Sequence, residues 1–186
     1  MSGLEPIAIE LQLVKRLLKG DEEAFAALYR AHSGPICRFA LQMTGRMDIA
    51  EDVTQETFLA LAIHGKRYDP ARGSVLAFLY GIARNLVLKR FGKERPENAS
   101  PLLEEIGGDD DVLEDLTRRE SIEEVRRAVL SLPQAYREAV VLCELGEATY
   151  EAAAWVLGCP VGTVRSRLSR ARAMLAKKLM AGSLVL

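Results

Sequence analysis

Catalysis draws on titratable side chains held beside partners, and this chain offers few of them. Its two histidines, His32 and His64, fall on separate predicted helices, with no Cys or His beside them at metal-ligand spacing. The three cysteines, Cys37, Cys143 and Cys159, form neither an even set nor a C-x-x-C pair, so they read as reduced thiols, not a disulfide framework or a zinc knuckle. G-x-S-x-G, H-E-x-x-H and Gly-rich phosphate loops do not occur. No metal site, no cofactor and no enzymatic activity are expected. What the chain does offer is clustered charge.

The net charge of -1 over 186 residues hides an uneven distribution. Residues 1–93 carry an excess of three positive charges and residues 94–124 an excess of nine negative ones. The last 26 residues hold Arg165, Arg167, Arg170, Arg172, Lys177 and Lys178 and no acid. Basicity concentrated in this way is the footprint of a protein that neutralises phosphates. In the segment TYEAAAWVLGCPVGTVRSRLSRARAML, a short helix, a Gly158-Cys159-Pro160 turn and a long basic helix follow in the order of a helix-turn-helix. At about 100° per residue, Val164, Leu168, Ala171, Leu175 and Leu179 form an inward stripe. Opposite them lie Thr163, Arg165, Ser166, Ser169, Arg170 and Lys177. Guanidinium groups on that arc can reach guanine edges or phosphates, and the small hydroxyls let a helix sink into a major groove.

The elements that must position this arc are helical throughout. The chain is 49% hydrophobic, too apolar for wholesale disorder, and no run approaches the roughly 20 uncharged residues of a membrane span. Apolar residues recur at helical spacing with no alternating strand pattern, so the expected fold is all-α. The middle of the chain, with Pro96, Pro101, Gly107, Gly108 and the run Asp109 to Asp111, resists packing and reads as an acidic flexible linker over 94–121. It joins two small helical domains, 1–93 and 122–186. The first is expected to hold helices over 7–19, 22–32, 36–44, 48–65 and 75–91, with Gly34-Pro35 as a break and Asp21 and Ser74 as caps. The second is expected to hold helices over 122–130, 134–145, 150–157 and 161–179, with Thr149 as a cap.

In the helix over 48–65, Ala50, Val53, Thr54, Thr57, Phe58 and Leu61 make a core-facing stripe, which leaves Glu51, Asp52, Gln55 and Glu56 pointing outward. An acidic and amide ridge repels DNA, so within a basic domain it suggests a protein partner with a positive groove.

The string AEDVTQETFLALAIHGKRYDPARGSVLAFLYGIARNLVLKR resembles region 2 of bacterial sigma factors, and LPQAYREAVVLCELGEATYEAAAWVLGCPVGTVRSRLSRARAML resembles their region 4. The short two-domain layout is similar to the extracytoplasmic-function group, and the likeness runs from about Asp21 to Leu179. By that resemblance Asp52, Gln55 and Glu56 dock on the clamp helices of core RNA polymerase, the same ridge reached from helical spacing. The -10 reader falls on Lys66 to Lys93, with Lys66, Arg67 and Arg72 on a single-strand backbone, Tyr68 and Phe78 as stacking surfaces, and Asn85 and Lys89 along one ridge with Phe78. The -35 reader falls on Arg165, Ser166 and Arg170, flanked by Thr163 and Ser169. Phe78 stands where the family usually has tryptophan, Gly81 where it has a larger polar residue, and Lys89 where it has aspartate. The family's detailed -10 preference therefore does not carry over to this chain.

The resemblance implies a dissociable promoter-specificity subunit in the cytoplasm, with core polymerase, promoter DNA and an anti-sigma protein as partners, no membrane insertion and no bond made or broken. The acidic linker is expected to run along a positive channel of the polymerase. Trp155 is expected to be partly packed. The main rival is a helix-turn-helix transcriptional regulator with an N-terminal sensing domain, which binds duplex DNA by itself. A nucleic-acid-processing enzyme is a weaker rival for want of an acid-base or metal cluster.

Overall fold

The computed structural model describes residues 4–91, 122–146 and 148–182, and all their regular structure is helical. The linker over 94–121 and the apolar tail Leu184-Val185-Leu186 lie outside the described residues. The front of the chain forms α1 (Leu4–Leu17), α2 (Glu22–Thr44), α3 (Met47–His64), a short 3-10 turn (Gly65–Arg67) and α4 (Val75–Phe91). The back forms α5 (122–130), α6 (Gln134–Val140) with a π-turn (Val141–Leu145), α7 (Tyr150–Leu157) and α8 (Val161–Gly182).

Helix starts follow the expected caps. The Asp21 carboxylate accepts from the Ala24 N–H at 3.1 Å, and Ser74 Oγ accepts from the Ala77 N–H at 3.2 Å. Arg16 lies 2.7 Å from Asp21, and that hydrogen bond, together with the cap, holds the Asp21 carboxyl below its ordinary range.

The expected break at Gly34-Pro35 does not occur: α2 runs unbroken through Pro35. Proline removes one backbone hydrogen bond and crowds the preceding turn, at a cost of about 3 kcal/mol in a helix interior. Here the stripe of Ala24, Leu28, His32, Ile36, Phe39 and Met43 stays buried on both sides of the proline. Burying each large apolar member is worth about 1.5–3 kcal/mol, so a continuous packed face outweighs the local penalty. The front therefore has four α-helices, not five. α3 presents Ala50, Val53, Phe58 and Leu61 to this face, each 1% exposed or less, and α4 packs Val75, Leu79, Ala83 and Val87 against it.

In the back, the turn between α7 and α8 is built by local chemistry. Thr149 Oγ1 caps α7 by accepting from the Ala152 N–H at 3.1 Å. Gly158 ends it in the left-handed region at φ 62°, where a side chain would be strained. The Gly158 N–H reaches the Trp155 carbonyl and the Cys159 N–H the Ala154 carbonyl, the paired bonds of a Schellman ending. Pro160 cannot continue α7, and its carbonyl accepts from Thr163 and Val164 to open α8. Val164, Leu168 and Ala171 are fully buried beneath α8, while Leu175 and Leu179 are half-buried.

Candidate nucleic-acid interface

Because Val164, Leu168 and Ala171 anchor one side of α8, the opposite arc must face outward. Arg165, Ser166, Ser169, Arg170 and Lys177 are exposed, and Thr163 is half-buried at the start of the arc. The guanidinium of Arg165 lies 5.9 Å from the ring centre of Tyr150, a cation-π contact that restricts where the arginine can point. Ser166 Oγ donates to the Thr163 carbonyl at 2.9 Å, leaving its lone pairs for an incoming donor. Arg172 on α8 is tied down by an ion pair within the described residues: its Nη2 sits 2.5 Å from Glu144 Oε1, which raises its pKa. It stands outside the expected reading arc. Trp155 on α7 is 37% exposed, partly packed as expected.

On α3 the ridge of Glu51, Asp52, Gln55 and Glu56 is fully outward. Arg90, in the last turn of α4, reaches across to it, with Nη2 at 2.7 Å from Glu56 and 3.9 Å from Asp52. Both carboxylates remain substantially in solvent, so the pair braces the ridge without hiding it. Leu59 and Ile63 extend the same outer face as exposed apolar residues. Beside the ridge lies an open groove of about 460 Å³, lined by Tyr29, Ser33, Gly34, Cys37, Glu51 and Gln55. Sequence reasoning missed Arg90, which lies 34 residues from Glu56 and has no local spacing to announce it.

The loop between α3 and α4 exposes Lys66, Arg67 and Arg72. Asp69 shapes it, accepting from the Ala71 N–H at 3.0 Å, an Asx-type turn that places Arg72 outward. Tyr68 differs from expectation. It is 8% exposed, donates its hydroxyl to the Gly73 carbonyl at 3.2 Å and tilts against Phe78 at 5.7 Å. Burial and the nearby Glu10 and Asp69 carboxylates raise its pKa. In this arrangement Tyr68 has no free face for a base; it pins the loop. Phe78 is half-buried, and Asn85 and Lys89 are exposed farther along α4.

The geometry is thus two exposed, oppositely charged helix faces and a basic loop. Residues 28–97 match the family Sigma-70 region 2, and residues 122–175 match Sigma-70, region 4. The ECF RNA polymerase sigma factor SigC of Mycobacterium tuberculosis is 37% identical over 160 residues, which cover 83% of this chain and 82% of that one. The chain belongs to the ECF sigma factors. It is likewise 29% identical to the ECF RNA polymerase sigma factor SigW of Bacillus subtilis, over 89% of this chain and 94% of its relative. The solved structure of the sigma factor RpoE with the anti-sigma factor NepR from Bartonella quintana superposes with a TM-score of 0.64, at 25% identity, over 84% of this chain and 96% of that one. This sigma factor acts in transcription initiation with RNA polymerase, and its all-helical fold with regions 2 and 4 is the one the sequence predicted.

The thiols of the sigma factor are all free and half-buried. Burial, reinforced by Glu144, pushes Cys143 up to about 11. Thiolate is the reactive form, so at pH 7.5 Cys143 is almost entirely protonated. Its alkylation by iodoacetamide in the folded chain is expected to be slow at neutral pH and to rise about tenfold per pH unit until it levels off near 11. Rapid modification of Cys143 at neutral pH, followed by mass spectrometry of the peptides, would contradict this. His32 lies 3.0 Å from Glu10, too poorly aligned for a hydrogen bond, and is 8% exposed between α1 and α2. No group of three His, Cys, Asp or Glu side chains among the described residues is placed to hold a metal ion, and no helix there is long and apolar enough to cross a membrane.

Proposed function

We propose that the division of labour between α3 and α8 is the working arrangement of this sigma factor. Asp52, Gln55 and Glu56 dock the domain of residues 1–93 on core RNA polymerase. Lys66, Arg67 and Arg72 hold the backbone of the unpaired -10 strand, and Phe78, Asn85 and Lys89 contact its bases or phosphates, while Tyr68 keeps the loop in shape. Thr163, Arg165, Ser166, Ser169 and Arg170, in the domain of residues 122–186, read the duplex -35 element. The linker of residues 94–121 spans the two and tracks a positive channel of the polymerase. The protein works in the cytoplasm, without cofactor or turnover, and an anti-sigma protein of the kind seen with RpoE holds it inactive.

The observation that carries this reading is that one chain presents an acidic ridge and an arginine arc, both in solvent, with Arg90 bracing the ridge without covering it. A ridge of carboxylates suits a basic protein groove, and an arc of guanidinium and hydroxyl groups suits DNA. Lys89 puts a positive charge where the family usually has a negative one, which favours a phosphate contact over a base contact there. Gel-shift titration on promoter fragments tests the reading. The chain alone is expected to bind weakly, and addition of core polymerase to give a tight complex on asymmetric DNA. Tight binding of the chain alone to a palindrome as a dimer would point to a stand-alone regulator.

A further inference from the structure

Tyr150 is the first residue of α7, half-buried where it meets two arginines of α8. The Thr149 hydroxyl, accepting from the Ala152 N–H at 3.1 Å, fixes the backbone from which the ring projects. The exposed Arg165 holds its guanidinium 5.9 Å from the ring centre. Arg172 follows seven residues later. Seven steps of about 100° fall only about 20° short of two full turns, so both arginines stand on one ridge of α8. A rise of about 1.5 Å per residue sets their backbones about 10 Å apart, a gap that two arginine side chains and one tyrosine can close. Glu144, in the π-turn, anchors the far end of the cluster at 2.5 Å from Arg172 Nη2. The pKa of Arg172 is raised by this carboxylate first and by a hydrogen bond to Tyr150 after it. An arginine carries donors only, so the phenolic oxygen accepts in that bond.

The two arginines are held in different ways, with opposite consequences for DNA. Arg172 commits its N–H groups to Glu144. Arg165 is held by the π-face of Tyr150, an attraction that consumes no N–H donor. Its fork of donors therefore stays whole for a guanine edge or a phosphate. An exposed arginine otherwise explores many rotamers and loses that freedom on binding, and a partner that already restricts it in the free protein removes part of that loss. We propose that Tyr150 is a positioning residue for -35 recognition, its ring aiming the Arg165 guanidinium at the groove while Glu144, acting through Arg172, holds the ring. The inference rests on the assignment of Arg165 to the -35 reader.

Its test is a double-mutant cycle in the holoenzyme, reading affinity for a promoter found by transcription with core polymerase. Tyr150→Leu, which removes the π-face and keeps apolar bulk, is expected to weaken binding about fivefold; Tyr150→Phe, which keeps the face, should weaken it about twofold or less. In an Arg165→Ala background Tyr150→Leu should cause no further loss, whereas in an Arg170→Ala background the full loss should return. Tyr150→Leu should also change base preference, or salt dependence, in the same direction as Arg165→Ala. In the free chain, nuclear magnetic resonance should show the Arg165 side-chain protons displaced by the ring current in the wild type and in Tyr150→Phe, and undisplaced in Tyr150→Leu. Circular dichroism checks each fold, and the wild-type spectrum decides the case even if Tyr150→Leu does not fold. Equal losses from Tyr150→Phe and Tyr150→Leu, a Tyr150→Leu loss that persists without Arg165, or undisplaced Arg165 protons in the wild type would overturn the inference. Arg165→Ala without loss, while the ring-current displacement is present, would instead withdraw Arg165 from the -35 reader, and the inference with it.

Discussion

Replacing Asp52, Gln55 and Glu56 together with alanine is expected to abolish association with core RNA polymerase and to leave the fold intact. The three side chains lie on the outward face of α3, backed by Val53, Thr54, Thr57 and Phe58, which do the packing. Exposed polar truncations seldom cost more than about 0.5 kcal/mol. Among the described residues, the ion-pair contact removed is that of Arg90 with Glu56 and Asp52, an exposed contact of the kind worth about 0–1 kcal/mol. At an interface the same groups weigh far more, because truncating one member of a desolvated charge pair costs about 2–5 kcal/mol. Two such losses, together with that of the Gln55 amide, exceed what a dissociable complex can absorb. Thermal denaturation and co-elution with core polymerase on a sizing column read the two halves of the prediction. Survival of the complex would place the docking surface elsewhere on the domain.

The second large effect belongs to the arc on α8. Arg170→Ala is expected to cost about 1–3 kcal/mol at a -35 base or phosphate, a loss of promoter affinity in the holoenzyme of roughly fivefold to 150-fold. Arg165→Ala should lose a similar amount and also release Tyr150, whose ring the guanidinium covers at 5.9 Å. Arg172→Ala is the internal contrast. Its charge is committed to Glu144, so its removal should disturb promoter choice far less. A promoter profile indifferent to Arg170 would remove that residue from the reading face. If it is a base contact, the loss will be confined to sequences with one particular base; if a phosphate contact, it will be uniform and the salt dependence will flatten.

Much of this arrangement was legible before any coordinates, where the information is local. The alternation of Ala50, Val53, Thr57 and Phe58 against Asp52, Gln55 and Glu56 is a 3.6-residue pattern, and each buried member is 1% exposed or less. Thr149 and Gly158 bound α7 as expected because a cap hydroxyl and a left-handed glycine act within a few residues of themselves. Pro35 misled for the complementary reason: its cost is local, but the packing that offsets it comes from α3 and α4. Tyr68 carries an aromatic face and a hydroxyl, and nothing in its neighbours reveals that Gly73 and Phe78 will claim both. Arg90 with Glu56, and Arg84 with Glu138, are contacts across 34 and 54 residues. Composition records those charges without saying which of them meet.

The central claim is that one helix face grips the polymerase while another selects the promoter. Start-site-mapped run-off transcription on a pooled promoter library, with purified core polymerase in the presence and absence of the chain, tests it most directly. The account predicts that the chain adds a discrete set of transcripts, all starting downstream of one asymmetric two-part motif. It also predicts that the Asp52, Gln55 and Glu56 triple variant adds none and that Arg170→Ala adds a set altered at the upstream part of the motif. Transcripts unchanged by the chain, or supported equally well by the triple variant, would contradict it.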